Sequence, residues 1–125
     1  MNGQPELGGR RVLVVEDDYY IASDAARALE VAGAVIVGPC ANEATACAEI
    51  SAERPDAALV DINLGDGPSF ELAAALEREG VPFVFLTGYD QEAIPEAFAD
   101  IERLQKPVRF RNVVEAVAKL LPPTR

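Results

Sequence analysis

Glu16, Asp17 and Asp18 follow directly on the apolar run Val12–Val15, and Asp61 closes a second apolar run, Ala57–Val60. Carboxylates at the ends of buried strands are costly unless something cationic meets them. If the two runs are parallel neighbours, their acids converge at the carboxyl edge of one sheet, where open α/β folds place ligands. Oxygen donors with no thiol or imidazole among them suit Mg²⁺. Two more reactive groups follow strand-like segments: Thr87 follows Pro82–Leu86, and Lys106-Pro107 lies just past Ile101–Leu104. Acid, acid, hydroxyl and lysine thus arrive in order at successive strand ends.

The elements that must position them are legible from periodicity. Strands are expected at 10–15, 34–37, 57–60, 82–86 and a short 101–104, the first carrying the apolar run that parallel strands buried on both faces tend to show. Between them lie helical patterns at 18–32, stopped by Gly33, and at 42–52, capped by Asn42. A third runs from the loop 63–68 through Glu79, with Asp66 as its expected cap. A weak segment at 90–99 is interrupted by Pro95, and a last helix spans 110–121. Asp18 reads as a first-turn acid serving the first helix, and Asp56 as a solvated strand-entry acid. Five strands alternating with five helices, the fourth short or irregular, give a doubly wound α/β domain with right-handed crossovers. The expected boundaries are a flexible leader at 1–9, the domain at 10–121 and a short tail at 122–125.

Composition removes several function classes. Eleven basic against 21 acidic residues give a net charge of −10, which opposes nucleic-acid binding. Histidine is absent, so an imidazole base, a histidine metal ligand and a phosphohistidine within this chain are all excluded. No stretch approaches the roughly 18 apolar residues of a membrane helix, and no signal-peptide pattern opens the chain, so a soluble cytoplasmic protein is expected. Cys40 and Cys47 match no metal or redox spacing and read as buried thiols.

With that ordered set of strand ends, residues 10 to 121 resemble the receiver domain of two-component response regulators, the CheY-like fold. Pro82-Phe83-Val84-Phe85-Leu86-Thr87-Gly88-Tyr89 followed by Leu104-Gln105-Lys106-Pro107 is similar, more narrowly, to the single-domain FATGUY group of alphaproteobacteria, several of them linked to stress signalling. The resemblance implies the strand order 2-1-3-4-5 and assigns roles. Asp61 is the phosphoacceptor, and an ionised carboxylate can attack phosphorus directly. Asp17 ligates Mg²⁺, Glu16 acts through a bound water, and the backbone carbonyl of Asn63 completes the protein ligands. Lys106 pairs with phosphoryl oxygens, Thr87 donates its hydroxyl to one of them, and the Lys106-Pro107 peptide is cis. The implied donor is a histidine kinase or histidine phosphotransfer protein, and the implied output a downstream protein contact or a phosphate sink. Monomer and phosphorylation-dependent dimer both remain open.

The chain departs from the family pattern at Arg103, which stands where many receivers carry an aromatic that turns inward with the threonine. Val108 also replaces a phenylalanine. Tyr89, two residues past Thr87, is the expected substitute gate. Two rivals stand beside the switch reading. A Mg²⁺-dependent phosphohydrolase would carry Asp-x-Asp on its first strand, which is missing, and a pseudo-receiver would not need the intact acid, threonine and lysine set.

Overall fold

The computed structural model describes residues 7–64, 70–88 and 94–122. The strands are β1 (Arg11–Val15), β2 (Val35–Cys40), β3 (Ala57–Asp61), β4 (Phe83–Thr87) and β5 (Arg103–Gln105). The helices are α1 (Tyr19–Val31), α2 (Glu43–Ala52), α3 (Glu71–Arg78) and α4 (Phe110–Leu120). All strand pairs are parallel, in the order β2-β1-β3-β4-β5, which is the expected doubly wound sheet.

Successive strand residues face opposite sides of a sheet, and the apolar runs therefore divide between two cores. Val12, Val14, Leu59, Val84 and Leu86 pack with Leu29, Val113 and Val117 on the α1/α4 side. Leu13, Val15, Ala58, Val60, Phe83 and Phe85 pack with Ile50, Leu72 and Leu76 on the α2/α3 side. The central strands β3 and β4 are buried at every position, whereas the edge strands β2 and β5 are partly exposed. Gly38, at φ +94°, lies where the pairing of β2 with β1 shifts register; a Cβ there would sit 2.7 Å from the Cys40 nitrogen. The Lys106-Pro107 peptide is cis as the resemblance implied, and Gly38-Pro39 is cis as well.

Several expectations need correction. Leu7 to Gly9 belong to the fold and not to a flexible leader: Leu7 is fully buried, and the Leu7 and Gly9 amides donate to the Ala32 and Gly33 carbonyls at 2.8 and 2.7 Å. The weak segment at 90–99 contributes only a 3₁₀ turn, Glu96–Phe98, among its described residues, so four α-helices and that turn stand where five helices were expected. The last strand lies later than expected because the Ile101 amide still bonds back to the Phe98 carbonyl at 3.1 Å, while the Glu102 carbonyl takes the Phe85 amide at 2.9 Å. Asp56 is exposed but not idle: its carboxylate accepts the Arg11 amide at 2.8 Å and ties the entries of β1 and β3 together. Asp66 lies outside the described residues.

Cys40 is buried and Cys47 exposed, because α2 turns only Ala46 and Ile50 inward and residue 47 is rotated away from that stripe. Burial, with Glu49 nearby, also pushes the Cys40 thiol up. One thiol of the native protein is therefore expected to react with Ellman's reagent at pH 8 and two in denaturant. Two fast-reacting native thiols would contradict the packing of β2.

Candidate functional site

Strand register builds the site. Val15 of β1 lies level with Val60 of β3, so the next residue on each, Glu16 and Asp61, emerge side by side at the carboxyl edge. Asp61 is also in register with Leu86 of β4, and Thr87 follows with Gln105 of β5 beside it. The Lys106 amide then donates to the Thr87 carbonyl at 2.8 Å, fixing the lysine's backbone at the same edge. α1 leaves this edge through Asp18, whose side chain accepts the Tyr20 and Ile21 amides at 2.9 and 3.2 Å. Asp18 is therefore the helix cap, as its position suggested.

Glu16, Asp61 and Thr87 are the buried polar residues of the described chain, with Glu16 2 % and Asp61 3 % exposed. Carboxylate oxygens of Glu16, Asp17 and Asp61 lie within 4.8 Å of one another, Asp17 being the exposed member. The Lys106 ammonium reaches in from β5, 2.8 Å from Asp61 Oδ2 and 2.8 Å from Glu16 Oε1. Asp61 Oδ1 accepts the Asn63 amide at 3.0 Å, and Glu16 Oε2 accepts the Asp18 amide at 2.9 Å. Lys106 approaches Glu16 Oε1 off the direction of a hydrogen bond, so that buried oxygen has Coulombic contact but no hydrogen-bond donor among the described residues.

The electrostatics show too little positive charge for the acids present. Burial is the main reason the Glu16 carboxyl is pushed up to about 7; Asp61 adds to the rise, while Lys106 and the Asp18 amide oppose it. Burial disfavours the Lys106 ammonium, yet its contacts with Asp61 and Glu16 prevail and its pKa is raised. A buried oxygen lacking a donor, an all-oxygen set and an exposed third carboxylate fit a hydrated hard cation such as Mg²⁺.

A pH dependence follows for the metal-free protein. Between the ordinary value of 4.5 and about 7, folded Glu16 keeps a proton that the unfolded chain has already lost, so stability falls as pH rises through that window. Urea unfolding in EDTA is expected to show wild type losing ground to Glu16→Gln between pH 5 and 7.5. Parallel pH profiles for the two proteins would contradict the crowded-acid geometry.

The structure thus brings Glu16, Asp17, Asp61 and Lys106 together, with Asn63 bonded to Asp61 and Thr87 ending the next strand. Arg103 is exposed on β5 and has no ion pair among the described residues. Tyr89 lies outside them. Sequence reasoning missed the second partner of Lys106, Glu16, since only the register of β1 with β3 puts both acids within one ammonium's reach. It also missed an aromatic cluster on the α3 side of the sheet. Phe70 meets Phe85 and Phe98 at 5.9 Å each, and Phe83 lies 5.4 Å from Phe85.

Comparison with known proteins agrees with this geometry. A family model described as response regulator receiver domain matches residues 12–118. An uncharacterized response regulatory protein of Vibrio parahaemolyticus is 33% identical over 116 residues, covering 87% of this chain and 48% of that protein. The chain thus spans about half the length of the curated relatives it matches. The solution structure of SdrG from Sphingomonas melonis Fr1 superposes with a TM-score of 0.78 at 36% identity, over 90% of this chain and 96% of that one. The BeF3-activated conformation of SdrG gives 0.77 at 34% identity, over 97% and 100%. With the ordered strand-end set assembled at one sheet edge and the family match spanning nearly all of it, this chain belongs to the response regulator receiver domain family.

Proposed function

We propose that this chain is a phosphorylation switch of the FATGUY type, with Asp61 as the phosphoacceptor. The observation that carries the reading is a nearly buried Asp61 carboxylate held 2.8 Å from the Lys106 ammonium, beside two further acids that fit a divalent cation. An Asp61 oxygen attacks the phosphorus of a partner's phosphohistidine. The P–N bond breaks, its electron pair returns to the imidazole, and an acyl phosphate remains on Asp61. Glu16, Asp17, Asp61 and the Asn63 carbonyl would hold Mg²⁺, which when bound supplies positive charge against the acids and the phosphoryl oxygens. Lys106 stabilises the phosphoryl oxygens, and the Thr87 hydroxyl donates to one of them. Tyr89 and Arg103 carry the change toward the surface. The donor is a histidine kinase or histidine phosphotransfer protein, and the phosphorylated form acts through a protein contact or as a phosphate sink. No helix among the described residues is long and apolar enough to cross a membrane, which accords with a cytoplasmic partner system.

The test is incubation with Mg²⁺ and a small phosphodonor, read by phosphate-affinity electrophoresis and by phosphate release. Labelling that saturates at one group per chain supports the switch. Sustained turnover of a phosphorylated small molecule would make the chain a hydrolase, and no labelling would leave it a pseudo-receiver.

A further inference from the structure

The pairing of β2 with β1 is irregular at one place, next to the acid cluster. Leu13 is level with Val37 and Val15 with Cys40, so two residues, Gly38 and Pro39, stand opposite Val14 alone. Carried straight on, the register of Leu13 with Val37 would bring Pro39 level with Val15, and proline has no N–H to give to a ladder. The extra residue brings Cys40 there instead. The Cys40 carbonyl then accepts the Glu16 amide at 2.9 Å, just where β1 ends and the acids begin. Bulges of this kind re-aim a neighbouring side chain or end a pairing.

Cys40 is held on both sides of that carbonyl. Its side chain, 2% exposed, packs in the core on the α2/α3 side. Two residues on, Asn42 accepts the Thr45 amide at 2.8 Å as the cap of α2. Before Cys40, the chain turns through Gly38 at φ +94°, a conformation that strains any residue with a Cβ. A Cβ at Gly38 would also stand 2.7 Å from the Cys40 nitrogen and 3.2 Å from the Val14 carbonyl oxygen. Both are backbone atoms, so relief would move Cys40 or β1 and not the tip of a side chain. Glu16 has little slack to absorb such a shift. Its side chain is wholly buried, Oε2 accepts the Asp18 amide at 2.9 Å, and Oε1 lies 2.8 Å from the Lys106 ammonium.

We propose that Gly38 is a positioning residue for the cation site: its bare Cα lets the Cys40 carbonyl hold the Glu16 backbone so that the Glu16 carboxylate stays with those of Asp17 and Asp61. Gly38 is exposed and gives no side chain to the site; it acts through Cys40 and then through Glu16. The inference rests on the reading of Glu16, Asp17 and Asp61 as a Mg²⁺ site and extends that reading to the end of β2. Groups that support a metal's ligands from behind set its affinity by about 10- to 100-fold.

The test titrates Mg²⁺ into the ¹⁵N-labelled full chain, without phosphodonor, in wild type, Gly38→Ala and Gly9→Ala. Gly9, at φ +81° with open space where a Cβ would go, reports the cost of a strained turn alone, at the end of β1 far from the acids. Gly38→Ala is expected to bind Mg²⁺ about tenfold or more weakly and to exchange its Glu16 amide faster, while Gly9→Ala binds as wild type does. In a Glu16→Ala background, Gly38→Ala should cost no further affinity. Retained spectral dispersion shows which variants fold. If Gly38→Ala does not, wild type decides. Mg²⁺ should slow exchange of its Glu16 amide more than that of its Val35 amide, which bonds the Arg10 carbonyl at the other end of the strand pair. Wild-type affinity in Gly38→Ala, an equal loss in Gly9→Ala, the same loss without Glu16, or equal slowing at the two amides overturns the proposal alone. A wild type that binds no Mg²⁺ overturns the cation-site reading and the proposal with it.

Discussion

Asp61→Asn is expected to fold as well as wild type and to take up no phosphoryl group. Asparagine keeps the size of the side chain and an oxygen for the Asn63 amide, which lies 3.0 Å from Asp61 Oδ1 in the native protein. What it removes is the anionic nucleophile, since an amide oxygen does not displace a phosphohistidine. The folding side of the result comes from the charges around it. With both carboxyls ionised, buried Glu16 and Asp61 and half-buried Lys106 carry one more negative than positive charge. Neutralising Asp61 leaves Glu16 and Lys106 as a matched pair and removes one of the causes that push Glu16 up. Stability of the metal-free protein is expected to stay within about 1 kcal/mol of wild type, read by urea unfolding in EDTA. Labelling is expected to vanish at every donor concentration. A variant that unfolds would make Asp61 a structural acid, and a variant that still labels would move the acceptor elsewhere.

Phe85→Ala is expected to cost about 3 to 5 kcal/mol, the range for removing a fully buried aromatic ring. Phe85 is 1% exposed in the centre of β4. Its ring meets Phe70 and Phe83 at 5.9 and 5.4 Å and Phe98 at 6.2 Å. Phe70 sits at the N-cap of α3 without a side-chain cap bond, and Phe98 belongs to the 3₁₀ turn. Both elements are short, so ring packing does much of their anchoring. A loss of this size is a large share of the roughly 5 to 15 kcal/mol that holds a domain together. Urea unfolding measures it, and hydrogen exchange of the variant should rise first at the Ile101 amide, which is bonded to the Phe98 carbonyl. A cost under about 1 kcal/mol would mean that the cluster is incidental to the fold.

The strand-end acids could be read from sequence because each closes an uninterrupted apolar run, and a parallel sheet has only one carboxyl edge at which such runs can end. Asp18 could be read for a local reason, since an acid just before a 3.6-residue pattern has helix amides to accept. Long-range register was not legible. Nothing in the spacing of Glu16, Asp61 and Lys106 says that one ammonium touches both acids, which depends on β1 and β3 pairing at Val15 and Val60. Phe70 and Phe98 were missed because one falls at the start of the third helical pattern and the other in the segment that Pro95 interrupts, where spacing does not say which rings a side chain will meet. Leu7 was hidden among glycines and a proline, a composition that reads as leader, although its side chain is fully buried. Cys47 was misplaced because α2 has little apolar contrast between its faces, so its alanines did not reveal which side turned inward.

Peptide mass spectrometry after borohydride trapping, on protein incubated with a small phosphodonor in Mg²⁺ or in EDTA, tests the central claim most directly. The expected result is reductive modification at Asp61 alone, present with Mg²⁺ and lost with EDTA. Modification at Asp17 or Glu16, or equal modification of Asp61 without a divalent cation, would contradict it.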